Sequence, residues 1–157
     1  EDRLIILPDE DDDTSTSAGR PVGGEYYDIS RKIAYMDTHG IGVSVISLAN
    51  PWLDFLSSAE APEMAALMND DMQEECDKSG GRLYGFGTIP SANVDASCKE
   101  LERIASMERM RGIILSTHGL GKGLDDPALL PVFQTVERLG LTIFLHPHYG
   151  VGGEHFG

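Results

Sequence analysis

A single apolar, β-branched run followed by a single amphipathic helix, repeated about every 30 residues, constrains this chain more than anything else in it. Four runs read as strands: Val43 to Leu48, Leu83 to Ile89, Gly112 to Ser116 and Thr142 to Leu145. A helix capped by Asp28 or Ser30 precedes the first run, with Ile29, Ile33 and Met36 on one stripe and Gly40 in the position of a terminating glycine. A second helix is predicted from about Pro62 to Gly80, with Met64, Leu67, Met68, Met72 and Cys76 on its buried face. A third carries Val94, Cys98, Leu101 and Ala105. The fourth opens at Asp126-Pro127 and turns Leu130, Phe133, Val136 and Glu137 toward one side before Gly140.

Strand, helix, strand in this rhythm predicts an α/β fold with a parallel sheet. The near-continuous apolar character of the strands predicts burial on both faces. Two architectures share the pattern, a doubly wound sheet and a (β/α)₈ barrel. A barrel needs about 250 residues, so 157 residues would make around half of one.

Composition narrows the functional classes. Twelve basic against 26 acidic side chains give a formal charge of −14. Polyanion binding needs clustered Lys and Arg, so a nucleic-acid partner is not expected. No apolar run approaches the roughly 20 residues of a membrane span, so no membrane partner is expected either. Two cysteines, Cys76 and Cys98, fall in predicted helices without metal-type spacing and read as reduced thiols. The chain opens on Glu1-Asp2 rather than a basic-then-apolar leader, and a cytoplasmic protein is the expectation. It has no initiator Met and closes on a Gly-rich run, Gly150 to Gly157, which predicts cuts in a longer protein. Residues 1–27 read as a loop-rich insertion whose acidic run, Asp9 to Asp13, repels itself and stays solvated. That run lacks the alternating spacing and the turn glycine of a calcium loop. Residues 28–157 carry the repeats.

Parallel α/β folds gather their chemistry at the C-terminal ends of the strands. Those positions here are Ala49-Asn50-Pro51-Trp52, Ile89-Pro90, Ser116-Thr117-His118 and His146-Pro147-His148, so three of the five histidines share one face. Imidazole is a common ligand of divalent metals; His146 fits both a metal ligand and a polar strand terminus. His148 lies two residues on, but Pro147 turns the chain between them. His118 fits a pocket or a plain loop. His39, before Gly40, is explained by a helix C-terminus. The loop Gly119-Leu120-Gly121-Lys122-Gly123 follows a strand but lacks the Gly-Lys-Ser/Thr of a phosphate loop, and the next helix opens on two acids.

Several segments together carry a family resemblance. These are Asp37-Thr38-His39-Gly40-Ile41 with Val43 to Trp52, then Arg111-Gly112-Ile113-Ile114-Leu115, Gly119 to Pro127, and Phe144-Leu145-His146-Pro147-His148-Tyr149-Gly150. The chain resembles the metal-dependent decarboxylases of the amidohydrolase superfamily, the group of aminocarboxymuconate-semialdehyde decarboxylase, from about Arg20 onward. The resemblance implies part of a TIM barrel, strands two to five, and a carboxy-lyase. Its substrate would be a small aromatic or pyrimidine-type carboxylate such as 5-carboxyuracil or aminocarboxymuconate semialdehyde. It implies a divalent metal, most often Zn²⁺, with His146 as the fifth-strand ligand. Substrate would be bound by Arg20, whose fork suits a carboxylate, by Asn50, able to read a pyrimidine edge, and by His148.

The family's first-strand His-x-His pair has no counterpart before Val43, and its proton-handling aspartate on the last strand has none either, so the chain alone is expected to be inactive. The family also implies a homo-oligomer, a dimer for the whole protein. Unpaired strands near Val43 and Phe144 predict self-association of the isolated chain. Two other readings stay open, a metal-dependent hydrolase of the same superfamily and a non-catalytic half-barrel that acts by self-association.

Overall fold

The computed structural model describes residues 3–4, 20–21, 23–49, 52–53, 55–117 and 123–147. They fall into two compact units, Glu1–Gly42 and Val43–Gly157. In the first, β1 (Arg3–Leu4) pairs antiparallel with β2 (Arg20–Pro21). Helix α1 (Ile29–Thr38) starts where the Asp28 carboxylate accepts the amides of Ser30 at 2.9 Å and Arg31 at 3.3 Å. These are two of the donors that every helix start leaves open. Gly40, at φ 66°, ends α1 as the sequence predicts, and the Ile41 amide reaches back to the Met36 carbonyl at 2.8 Å. His39 is explained by this helix end: its Nδ1 donates to the Tyr35 carbonyl at 2.8 Å.

The second unit is a parallel sheet in the order β3 (Ser44–Ser47), β4 (Leu83–Gly87), β5 (Met110–Ser116), β6 (Thr142–His146). Helices α2 (Ala61–Lys78), α3 (Val94–Ser106) and α4 (Leu130–Leu139) connect successive strands. Spatial order equal to chain order, with α2 against α3 and α3 against α4, decides between the two architectures. A doubly wound sheet reverses its order at a switch point and carries helices on both faces; this curled sheet does neither and is part of a TIM barrel. The core lies between sheet and helices, built from Leu101 and Ile104 of α3, Ile113 and Leu115 of β5, and Val132 and Val136 of α4. On the opposite, concave face Phe86 stacks on Phe144, with ring centroids 5.8 Å apart.

Close approach explains two glycines. A Cβ on Gly112 would lie 2.0 Å from the Thr142 carbonyl oxygen, so the β5–β6 pairing leaves no room for one. A Cβ on Gly87 would lie 2.9 Å from Asn69 Oδ1 and 2.8 Å from Ile104 Cδ1, so this position lets the helices sit down on β4.

Several predicted faces differ. The buried side of α2 is Ala61, Ala65, Asn69 and Cys76, while Leu67 is 54% exposed and Met64 38%. Small residues bring the helix close to the sheet, and a hydrogen-bonded asparagine takes a place where only apolar residues were expected. In α3, Ala105 is exposed and Glu100 is buried. In α4, Leu130 and Glu137 face solvent and Leu129 is buried. A 3₁₀ turn over Pro127–Leu129 precedes α4 and shifts its phase by its tighter winding. Burial on both faces holds along most of β5, but β3 and β6 are substantially exposed. They are the two ends of the described sheet, each with a neighbour on one side only.

Candidate active site

At the C-terminal ends of the strands the concave face becomes polar. Ser116 and His146 are register partners on β5 and β6, and the Thr117 amide donates to the His146 carbonyl at 3.2 Å. Ser116, 6% exposed, and Thr88, 3% exposed, line a small hollow with Trp52, Ser91 and Ile114. The His146 Nδ1 contacts the Pro147 carbonyl at 2.8 Å. A carbonyl only accepts, so Nδ1 donates in this contact and Nε2 is the ring nitrogen it leaves unengaged. Two aromatic rings hold the imidazole edge-to-face: Trp52 at 5.4 Å and Phe144 at 6.2 Å between centroids.

The rim of the hollow is held from behind. Asn69, fully buried on α2, grips the backbone of Thr88 just past β4. Its Nδ2 donates to the Thr88 carbonyl at 2.8 Å and its Oδ1 accepts the Thr88 amide at 2.9 Å. The same Nδ2 donates to Glu100 Oε1 at 2.6 Å. Glu100 in turn takes a fork from Arg103, at 3.0 Å from Nε and 2.7 Å from an Nη. Arg103 also reaches the Ala66 carbonyl at 2.8 Å and the Asp70 carboxylate. The Glu100 and Asp70 carboxylates together raise the Arg103 guanidinium well above its ordinary pKa, against the opposing effect of burial. A buried carboxylate is tolerated because every partner is supplied. Nearby, Ser97 Oγ donates to the Pro90 carbonyl at 2.9 Å and fixes the same loop from α3.

Of the residues singled out in the sequence, His146 stands at the end of β6 facing this hollow's aromatic wall. Arg20 lies on β2, paired through the backbone with Leu4 in the first unit. Asn50, His148, His118 and Lys122 lie outside the described residues. Among the described residues no group of three His, Cys, Asp or Glu side chains gathers to hold a metal ion, so they do not by themselves make a metal centre. Sequence reasoning placed Trp52 at a strand end without giving it a role, and missed Asn69. The signal for the first was the chain's single tryptophan just past a strand end; for the second, an asparagine in phase with the apolar stripe of Ala65, Met72 and Cys76.

A family model described as amidohydrolase matches residues 32–155, most of the chain and all four parallel strands. The chain belongs to the amidohydrolase family. Among solved members, an IDCase (isoorotate decarboxylase) from Metarhizium anisopliae, in apo form, is 43% identical with a TM-score of 0.83, covering 91% of this chain and 39% of that one. A 2-amino-3-carboxymuconate-6-semialdehyde decarboxylase of Dictyostelium discoideum is 27% identical over 134 residues, covering 85% of this chain and 37% of the relative. A gamma-resorcylate decarboxylase of a Rhizobium strain is 31% identical over 123 residues, covering 74% and 38%. A 5-carboxyvanillate decarboxylase from Novosphingobium aromaticivorans, solved with bound manganese, has a TM-score of 0.69 at 30% identity, covering 74% and 34%. These amidohydrolase-family relatives are carboxy-lyases. The chain spans under two fifths of the length of each. No helix among the described residues is long and apolar enough to cross a membrane.

Proposed function

We propose that the whole protein is a metal-dependent, non-oxidative decarboxylase acting on an aromatic or pyrimidine-type carboxylate, with this chain supplying part of its barrel and part of its site. The observation that carries the reading is the place of His146, at the C-terminal end of a barrel strand in a fold whose relatives at 27 to 43% identity are named decarboxylases. Barrel enzymes keep their chemistry at that end. In this reading His146 contributes one metal ligand through Nε2. Arg20 binds the substrate carboxylate by two parallel hydrogen bonds, and Asn50 and His148 bind the ring. The metal is proposed as zinc, which imidazole suits better than it suits manganese, although manganese is bound in the carboxyvanillate relative. Loss of CO₂ leaves an electron pair on carbon, which a divalent cation held near a neighbouring oxygen stabilises. The protein is further proposed to work as a cytoplasmic homodimer.

The test is CO₂ release from 5-carboxyuracil and from ortho-hydroxybenzoates by the whole protein, with metal content measured in parallel. Stoichiometric metal, CO₂ release, and loss of both in His146→Ala are expected. Ester or lactone hydrolysis without CO₂ would replace the decarboxylase with a hydrolase. The 157-residue chain alone is expected to release no CO₂.

A further inference from the structure

Trp52 combines features that packing alone does not require. At φ 49° it is the one non-glycine among the described residues with a positive φ. Bulky side chains avoid that region because Cβ crowds the next carbonyl. It is held there from both ends. Its indole Nε1 donates to the Leu48 carbonyl at 3.0 Å, and its amide approaches the Ala49 carbonyl at 3.4 Å. Trp52 therefore lies back against the end of the strand it follows, and the residue is 6% exposed.

What it reaches is the other end of the sheet. β3 and β6 are separated by two strands, yet the indole meets the His146 imidazole with centroids 5.4 Å apart and planes at 76°. An edge-to-face pair is favourable because the positive edge of one ring meets the negative face of the other. His146 has one hydrogen bond through Nδ1, which fixes a nitrogen but still lets the ring rock about that bond. The indole on one side and Phe144, at 86°, on another remove this freedom.

We propose that Trp52 is a positioning residue. It holds the His146 imidazole in one orientation at the end of β6 and keeps water from that side of the ring. The kinetic part of this inference rests on the decarboxylase reading; the geometric part does not.

Two measurements on the whole protein separate them. With ¹⁵N-labelled histidine, NMR of the unaltered protein should show an indole–imidazole NOE and a proton on His146 Nδ1. Trp52→Phe keeps an aromatic edge and loses the N–H anchor; Trp52→Leu loses both. In decarboxylation assays kcat should fall in the order wild type, Phe, Leu, reaching roughly 10- to 100-fold for Leu, as partners that orient a ligand do. KM should move much less. Absence of the NOE overturns the proposal, as does an unchanged kcat in both folded variants. A change confined to KM overturns it too, because it would make Trp52 a wall for substrate instead. If Trp52→Leu does not fold, the NOE and Trp52→Phe decide. If the unaltered protein releases no CO₂ while the NOE is present, the decarboxylase reading fails and the geometry stands.

Discussion

Replacing Asn69 tests whether one buried side chain sets the rim of the site. Truncation to alanine strips both backbone groups of Thr88 of their side-chain partner and removes a donor from Glu100. A buried polar group left unmet costs about 1–3 kcal/mol. Two such groups, partly relieved by water entering the space, give an expected loss of about 3 kcal/mol. Glu100 adds little to this because Arg103 still holds it with two bonds. Against a total stability of about 5–15 kcal/mol the loss is large. In urea, with a slope near 2 kcal/mol/M, the midpoint should fall by roughly 1.5 M, read by circular dichroism. Asn69→Asp is the sharper control. It keeps the shape and the oxygen that accepts the Thr88 amide, but sets an acceptor against the Thr88 carbonyl and the Glu100 carboxylate. It should be at least as unstable as Asn69→Ala at pH 7. Crowded carboxylates hold a proton more tightly when folded than when unfolded, so its deficit should shrink as pH falls and grow as pH rises through the raised value. Both variants within about 0.5 kcal/mol of wild type, the range of ordinary surface changes, would refute the reasoning.

Three further outcomes follow from the same structure. The Asp28 carboxyl is held below its ordinary 3.8 by hydrogen bonds from the Ser30 hydroxyl and the Arg31 amide, and Glu60 below 4.5 by Ser57. Their contribution to helix stability is therefore complete above those ordinary values and lost as pH falls through the lowered ones. Amide shifts of Ser30 and Ser57 in an NMR titration should report this, and Asp28→Asn should remove the Ser30 step. Cys76 is pushed up to about 11, chiefly by burial and then by Asp77, so its thiol should resist iodoacetamide at pH 8 until urea is added; native labelling, read by mass spectrometry, would contradict this. Gly112→Ala puts a methyl group into the Thr142 carbonyl, so hydrogen exchange at Ile113 to Leu115 should rise sharply relative to wild type, or the variant should fail to fold.

Helix ends were legible because they are local. Asp28 and Asp126 cap as their residue types require, and Gly40 and Gly140 stop helices at φ 66° and 65°. Strand positions were legible from β-branched runs. Helix faces were legible only in part: a pattern of hydrophobicity cannot know that Glu100 will find Arg103 and Asn69, or that a 3₁₀ turn will rotate α4 and bury Leu129 in place of Leu130. His146 was marked by its position after an apolar run. Trp52 was marked by place but not by role, and Asn69 by neither, since each takes its role from a partner far along the chain, His146 and Thr88.

The sequence by itself therefore determined the alternation of strands and helices, their boundaries to within a few residues, and the end of the sheet where polar groups collect. Each depends on the preferences of neighbouring residues. The strand and helix pattern left a doubly wound sheet and a barrel open, and only the family resemblance implied the barrel; tertiary structure decided that the sheet runs in chain order, that β3 and β6 are the ends of its described portion, and that an indole from one end meets an imidazole at the other. Those outcomes depend on contacts between residues tens of positions apart, which exist only once the sheet has closed far enough to make them.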